Sequence, residues 1–186
     1  MPHVGEAWRW LFSSGSIFRH GDPKSMVYVG HRHDTATRWH SQFAKAMLGI
    51  EEYLIVDIFK KNLDDARGTY ANDPQFSFLE CDIVELDKHV ASERYDMIVW
   101  DGGPEHIELS DLDRTLEMLK KLCKTSLYLC CPWGSWPQDA MGGNVHERHR
   151  FDPFPEMFES HGMTVVTFNG PGVMDKGELG IYWFKP

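Results

Sequence analysis

Short apolar runs alternate with stretches of helical spacing along most of the chain. "SMVYVG" (25–30), "EYLIVDIF" (52–59), "FSFLECD" (76–82) and "YDMIVWDGG" (95–103) read as strands. "TSLYLCCPWG" (125–134) reads as a fifth, stopped by Pro132 and Gly134. Between them, "TRWHSQFAKAML" (37–48) carries Trp39, Phe43, Ala46 and Met47 at helical spacing, and "KKNLDDARGTY" (60–70) reads as a polar, exposed helix. "IELSDLDRTLEMLKKLCK" (107–124) lines up Leu112, Leu116, Leu119 and Leu122 along one side, the clearest amphipathic helix of the chain. "PFPEMFESHG" (153–162) reads as a short helix with proline near its start and glycine after its end. Two closing strands, 163–170 and 177–185, are joined by the turn-rich "PGVMDK".

Strand–helix alternation predicts a parallel sheet with helices on both faces. The last two strands are too close in sequence for a parallel crossover, so they should form an antiparallel hairpin. The predicted fold is therefore α/β, a three-layer open sheet, mostly parallel, with a C-terminal antiparallel hairpin. One domain over 1–186 is expected, with 1–24 as an N-terminal helical extension. The interval 132–152 is rich in Gly, Pro, Trp and His, and a loop of that length in a compact domain commonly serves function.

Charge narrows the partners. The formal net charge is −9, which disfavours long-range attraction to nucleic acid or to an anionic membrane. No apolar run is long enough to span a bilayer, and the first residues lack the pattern of a signal peptide. Of the four cysteines, Cys130 and Cys131 are neighbours in a strand and so point to opposite faces, which suits buried free thiols. Without a Cys-x-x-Cys pair, a zinc ribbon or dithiol redox site is not expected, and a reducing cytoplasm is the expected compartment.

Candidate chemistry clusters where strands end. Asp57 closes the second strand, Asp82 the third and Asp101 the fourth. Ligands of open α/β sheets bind outside the carboxyl ends of the strands, and a carboxylate there accepts hydrogen bonds from ribose hydroxyls or an exocyclic amine. Each aspartate alone also suits a helix cap or a turn. Taken together, "YLIVDIF", "FLECDIVEL", "YDMIVWDGGPEHI" and the Gly-Asn, Glu-x-His segment of 132–165 resemble the class I S-adenosylmethionine-dependent methyltransferases over roughly 24–186. The resemblance implies a seventh strand inserted antiparallel beside the fifth. It also implies Asp57 and Ile58 at the cofactor's ribose, Asp82 and Ile83 at its adenine, and Gly30, Asp101 and Gly102 nearby.

The first loop departs from that pattern. Where the family has an acidic residue and then Gly-x-Gly-x-Gly, this chain has Tyr28, Gly30, Arg32 and Asp34. Small residues there let backbone approach the cofactor closely. Arg32 is expected to compensate by pairing with the cofactor's methionine carboxylate. The same loop holds His31 and His33, which resemble a fragment of the His-x-His-x-Asp patterns of metal-dependent hydrolases. That reading stays as an alternative. A magnesium-dependent, catechol-type enzyme is not favoured, because Cys131, Pro132 and Trp133 stand where such enzymes need a carboxylate and an amide.

The expected function is methyl transfer from S-adenosylmethionine to a small-molecule acceptor, with no metal and no nucleic acid or membrane partner. His106, just past the fourth strand, is the candidate general base. Trp133, Trp136 and His149 are the candidate acceptor-binding residues, with His146 beside them on the long loop. The different-class alternative is a non-catalytic binding module of the same fold.

Overall fold

A computed structural model describes residues 22–30, 49–70, 72–169 and 177–185. The helix expected over 37–48, positions 1–21 of the expected extension and the turn before the last strand lie outside the described residues. So do His31, Arg32, His33 and Asp34.

Seven strands form one sheet: β1 (Ser25–Val29), β2 (Glu52–Asp57), β3 (Phe76–Glu80), β4 (Tyr95–Asp101), β5 (Cys123–Trp133), β6 (Thr164–Asn169) and β7 (Gly177–Phe184). Their order is β3-β2-β1-β4-β5-β7-β6. The pairs from β3 to β5 are parallel, whereas β7 runs antiparallel to both β5 and β6. The expected C-terminal hairpin is therefore present, with β7 slotted between β5 and β6. Three helices are described: α1 (Lys60–Tyr70), α2 (Leu109–Leu122) and α3 (Pro155–Glu159).

The near-continuous apolar runs follow from burial on both faces. Alternate residues of β1, β2, β4 and β5 divide between two cores. Val27, Val29, Val56, Ile98, Trp100 and Leu129 pack with Leu112, Leu116 and Leu119 of α2 and with Phe158 of α3. Met26, Tyr28, Ile55, Met97, Val99 and Tyr128 pack with Leu63, Ala66 and Tyr70 of α1 on the other side. Helix α1, polar in composition, still buries a stripe at helical spacing, so its exposure is one-sided. Cys131 lies in the first core and Cys130 in the second, and all four cysteines are free and buried.

Pro132 does not stop β5. The β4–β5 ladder ends at Asp101 and Cys130, and β5 continues to Trp133 beside β7 alone. A missing N–H is tolerated where one side of the strand has no neighbour.

Candidate functional site

Register brings the strand ends level. Val29 sits opposite both Val56 and Trp100, Asp57 opposite Glu80, and Asp101 opposite Cys130. The ladders run one residue further: Gly30 N–H donates to the Val56 carbonyl (3.1 Å), Cys81 N–H to Asp57 (3.1 Å) and Gly102 N–H to Cys130 (2.9 Å). Gly30, Asp57, Cys81 and Gly102 are thus fixed side by side at the carboxyl edge of the sheet.

A cavity of about 230 Å³ opens on that edge. Gly30, Asp57, Ile58, Asp82, Ile83 and Gly102 line it, together with His106. Six of the residues expected at a cofactor, and the expected base, therefore share one cavity. Gly30 has φ +89, and a Cβ there would stand 2.5 Å from the Asp101 carbonyl oxygen, so only glycine fits this close approach. Trp100 forms another wall. It lies against Gly103, where a Cβ would fall 1.7 Å from the indole nitrogen.

Asp57 is buried, and its carboxylate accepts from Phe59 N–H (2.8 Å) and from the Asn62 amide (3.1 Å), which fixes the start of α1. Asp82 caps the 3₁₀ turn Ile83–Lys88, accepting from Val84 N–H at 3.2 Å. Burial, then the charges of Asp82 and Glu85, push the Cys81 thiol up to about 11. Cys130 and Cys131 are raised well above the usual thiol range, chiefly by burial and then by Glu178 for the first and Glu105 for the second. These thiols are protonated at neutral pH, which argues against cysteine nucleophiles at this edge.

Other expected site residues fall elsewhere. Asp101 is buried and accepts from the Tyr28 hydroxyl at 2.7 Å, on the face opposite Trp100, as strand alternation requires. It is absent from the cavity lining, as are Trp133, Trp136 and His149. Trp133 packs against the first core. The Trp136 carbonyl lies 2.6 Å from His149 Nδ1, so this part of the loop is pinned by that contact. Sequence reasoning missed several residues that do line the cavity: Asn62 from α1, Glu108 and Asp111 at the start of α2, and Asn144, Glu147 and Arg150 from the long loop. His146 lines it too. The loop reaches the cavity because Arg150 N–H donates to the Glu105 carbonyl at 2.8 Å. Asn144, buried, caps the 3₁₀ turn Val145–Glu147 through His146 N–H at 3.0 Å. Only the Asn-x-x-Glu spacing hinted at that cap.

No protein-family model and no curated protein matches the sequence. Solved structures do match in shape. The N-methyltransferase NodS of Bradyrhizobium japonicum WM9 superposes with a TM-score of 0.66 at 12% identity, covering 98% of this chain and 97% of that one. The 1,6-didemethyltoxoflavin-N1-methyltransferase of Burkholderia thailandensis, with 1,6-didemethyltoxoflavin and S-adenosylhomocysteine bound, gives 0.62 at 16% identity, covering 97% and 78%. An S-adenosylmethionine-dependent methyltransferase of Archaeoglobus fulgidus gives 0.61 at 14% identity, covering 95% and 94%. With the strand order, the inserted β7 and the cavity at the carboxyl edge, these neighbours establish that the chain has the class I S-adenosylmethionine-dependent methyltransferase fold.

Proposed function

We propose that the protein transfers a methyl group from S-adenosylmethionine to a small-molecule acceptor. The observation that carries this reading is the cavity at the carboxyl edge of β1–β4, lined by carboxylates at the ends of β2 and β3. It is supported by the neighbour that binds S-adenosylhomocysteine together with a small molecule.

The residues present fit that cofactor. A carboxylate offers about four lone-pair sites, so Asp57 can hold the start of α1 and also accept ribose hydroxyls. Ile58 would flank the ribose, and Asp82 and Ile83 would bracket the adenine. Gly30 and Gly102 would leave room for the methionine part. Asp101 would act at one remove, through its carbonyl against Gly30. Arg32 would pair with the methionine carboxylate, and Asp34 would join it in holding the methionine part. The lining is acidic, with Asp57, Asp82, Glu108, Asp111 and Glu147 against Arg150, which favours a cationic sulfonium ligand.

The cofactor supplies an electrophilic methyl carbon whose bond to sulfur breaks as the bond to the acceptor forms, the electron pair staying on sulfur. The chain's part is to align acceptor and methyl group, exclude water and take up any acceptor proton. The wall formed by His106, His146, Glu147 and Arg150 is the acceptor side of the cavity. Trp133 and Trp136 contribute behind it by holding the loop. Four buried, free cysteines support a reducing, cytoplasmic setting, and among the described residues no helix is long and apolar enough to cross a membrane.

Calorimetric titration with S-adenosylmethionine and S-adenosylhomocysteine tests the reading, followed by transfer of labelled methyl groups to a panel of small acceptors. Saturable binding at one site, weakened by Asp57→Ala, is expected. No binding at millimolar ligand would overturn the reading and favour a non-catalytic binding module.

A further inference from the structure

Glu105, His106 and His149 meet beside the cavity. Glu105 and His106 belong to the 3₁₀ turn Pro104–His106 after β4, and His149 to the long loop. Two contacts to main-chain carbonyls clamp the segments together. Arg150 N–H donates to the Glu105 carbonyl at 2.8 Å, and His106 Nδ1 lies 3.2 Å from the Arg148 carbonyl. His149, between those two arginines, is thereby set over Glu105. Its own backbone N–H donates to the Gln138 carbonyl at 3.0 Å.

The two imidazoles are oriented alike. His106 Nδ1 faces the Arg148 carbonyl and His149 Nδ1 faces the Trp136 carbonyl at 2.6 Å. A carbonyl only accepts, so each Nδ1 carries a proton, and in the neutral form of each ring the lone pair is at Nε2. Those Nε2 atoms lie 3.6 Å and 3.9 Å from the same atom, Glu105 Oε1. The rings stand edge-on, with centroids 5.0 Å apart. Ligand atoms of all three residues fall within 4.8 Å of one another. The separations exceed a charge-assisted hydrogen bond. They are close to the spacing of about 3.4 Å between ligands of a tetrahedral ion with bonds of about 2.1 Å. Glu105 is only 2% exposed, so it offers a carboxylate ligand shielded from solvent.

We propose that Glu105, His106 and His149 form a binding site for one divalent transition-metal ion of the zinc class. Two imidazoles and a carboxylate favour such an ion over magnesium or calcium, which prefer oxygen. The backbone carbonyls at both Nδ1 atoms are the outer-sphere partners that metal-ligating histidines use. Three protein ligands leave one position open, and His106 lines the cavity, so a fourth ligand comes from the cavity side. This assignment replaces the metal-free site expected from sequence, and it uses neither His31 nor His33. Under the methyl-transfer reading, His106 serves as a ligand rather than the base. The ion would then bind an acceptor oxygen or nitrogen and favour loss of its proton.

The test uses the full chain, without a histidine tag, stripped with chelator. Titration with zinc chloride by calorimetry, and with cobalt(II) followed by its visible absorption, should show one ion per chain. His106→Ala, His149→Ala and Glu105→Gln should each weaken zinc at least about tenfold. His146→Ala and the double change His31→Ala, His33→Ala should leave uptake unchanged. Failure of the wild type to take up one ion, or uptake that survives the ligand changes, would overturn the site. If the histidine variants do not fold by circular dichroism, Glu105→Gln decides, since it preserves side-chain volume: folded and binding zinc as tightly as wild type, it refutes the proposal. S-adenosylhomocysteine affinity measured on the same samples separates this outcome from that of the methyl-transfer reading.

Discussion

At the scale of single residues, two positions carry most of the cavity's shape. Asp57 serves two neighbours already, Phe59 N–H and the Asn62 amide, while its carboxylate lines the cavity. Hydrogen bonds to a charged group are worth about 1.5–3 kcal/mol, so Asp57→Ala should weaken S-adenosylhomocysteine by about tenfold or more in calorimetry. Asn62→Ala removes only one donor to Asp57 and should weaken it less. Gly30 is constrained by backbone rather than by ligand. With φ +89 and the Asp101 carbonyl 2.5 Å from any Cβ, Gly30→Ala should cost at least about 2 kcal/mol in urea denaturation. An unchanged denaturation midpoint would show that this edge can relax.

At the scale of elements, the sequence carried the strands and the amphipathic helix, because their burial is local and periodic. Leu112, Leu116, Leu119 and Leu122 advertise α2 without any tertiary knowledge, and each is buried. The aspartates at the ends of β2 and β3 were legible for the same reason: a strand ends where its apolar run ends. What was not legible is the meeting of distant loops. His149 was read as an acceptor contact and His106 as a base. Nothing in their spacing shows that both turn Nε2 toward Glu105, because the contact depends on hydrogen bonds to backbone carbonyls between 105–106 and 148–150. Asp101 was placed with the cofactor because it resembles Asp57, whereas its face of β4 turns it to Tyr28. Asp96, at the other end of β4, was not singled out at all, yet it ties the start of β1 to the sheet. It accepts from Lys24 N–H (2.8 Å), Ser25 N–H (2.9 Å) and the Ser25 hydroxyl (3.0 Å). Burial alone would raise its pKa, but the hydrogen bonds from Lys24 and Ser25, helped by Lys124, outweigh it and hold the pKa below the ordinary range. Asp96 therefore contributes stability above its unfolded pKa, about 3.9, and that stability is lost as pH falls through the lower folded value. Wild type should lose stability on acidification below about pH 4 more steeply than Asp96→Asn, as read from urea midpoints between pH 2.5 and 7.

At the scale of the whole molecule, the cavity is assembled from segments far apart in the chain: the ends of β1 to β4, the starts of α1 and α2, and the loop around Asn144–Arg150. A ligand filling it bridges all of them, and none of that arrangement survives in the unfolded chain. Binding therefore stabilises by mass action, by about 2.7 kcal/mol at a ligand concentration 100 times Kd. For a chain of this length each kcal/mol moves the melting temperature by about 2–4 °C, so saturating S-adenosylhomocysteine should raise it by about 5–11 °C. Under the proposed reading adenosine would engage the ends of β2 and β3 and leave the end of β1 empty, so at equal concentration it should shift the melt less. Methionine alone should shift it least, because Asp57 and Asp82, the carboxylates proposed to hold the nucleoside, would find no partner in it. Differential scanning fluorimetry with the three ligands ranks them directly. Equal shifts for adenosine and S-adenosylhomocysteine would mean that the loop after Gly30, with Arg32 and Asp34 in place of glycines, no longer receives the methionine part.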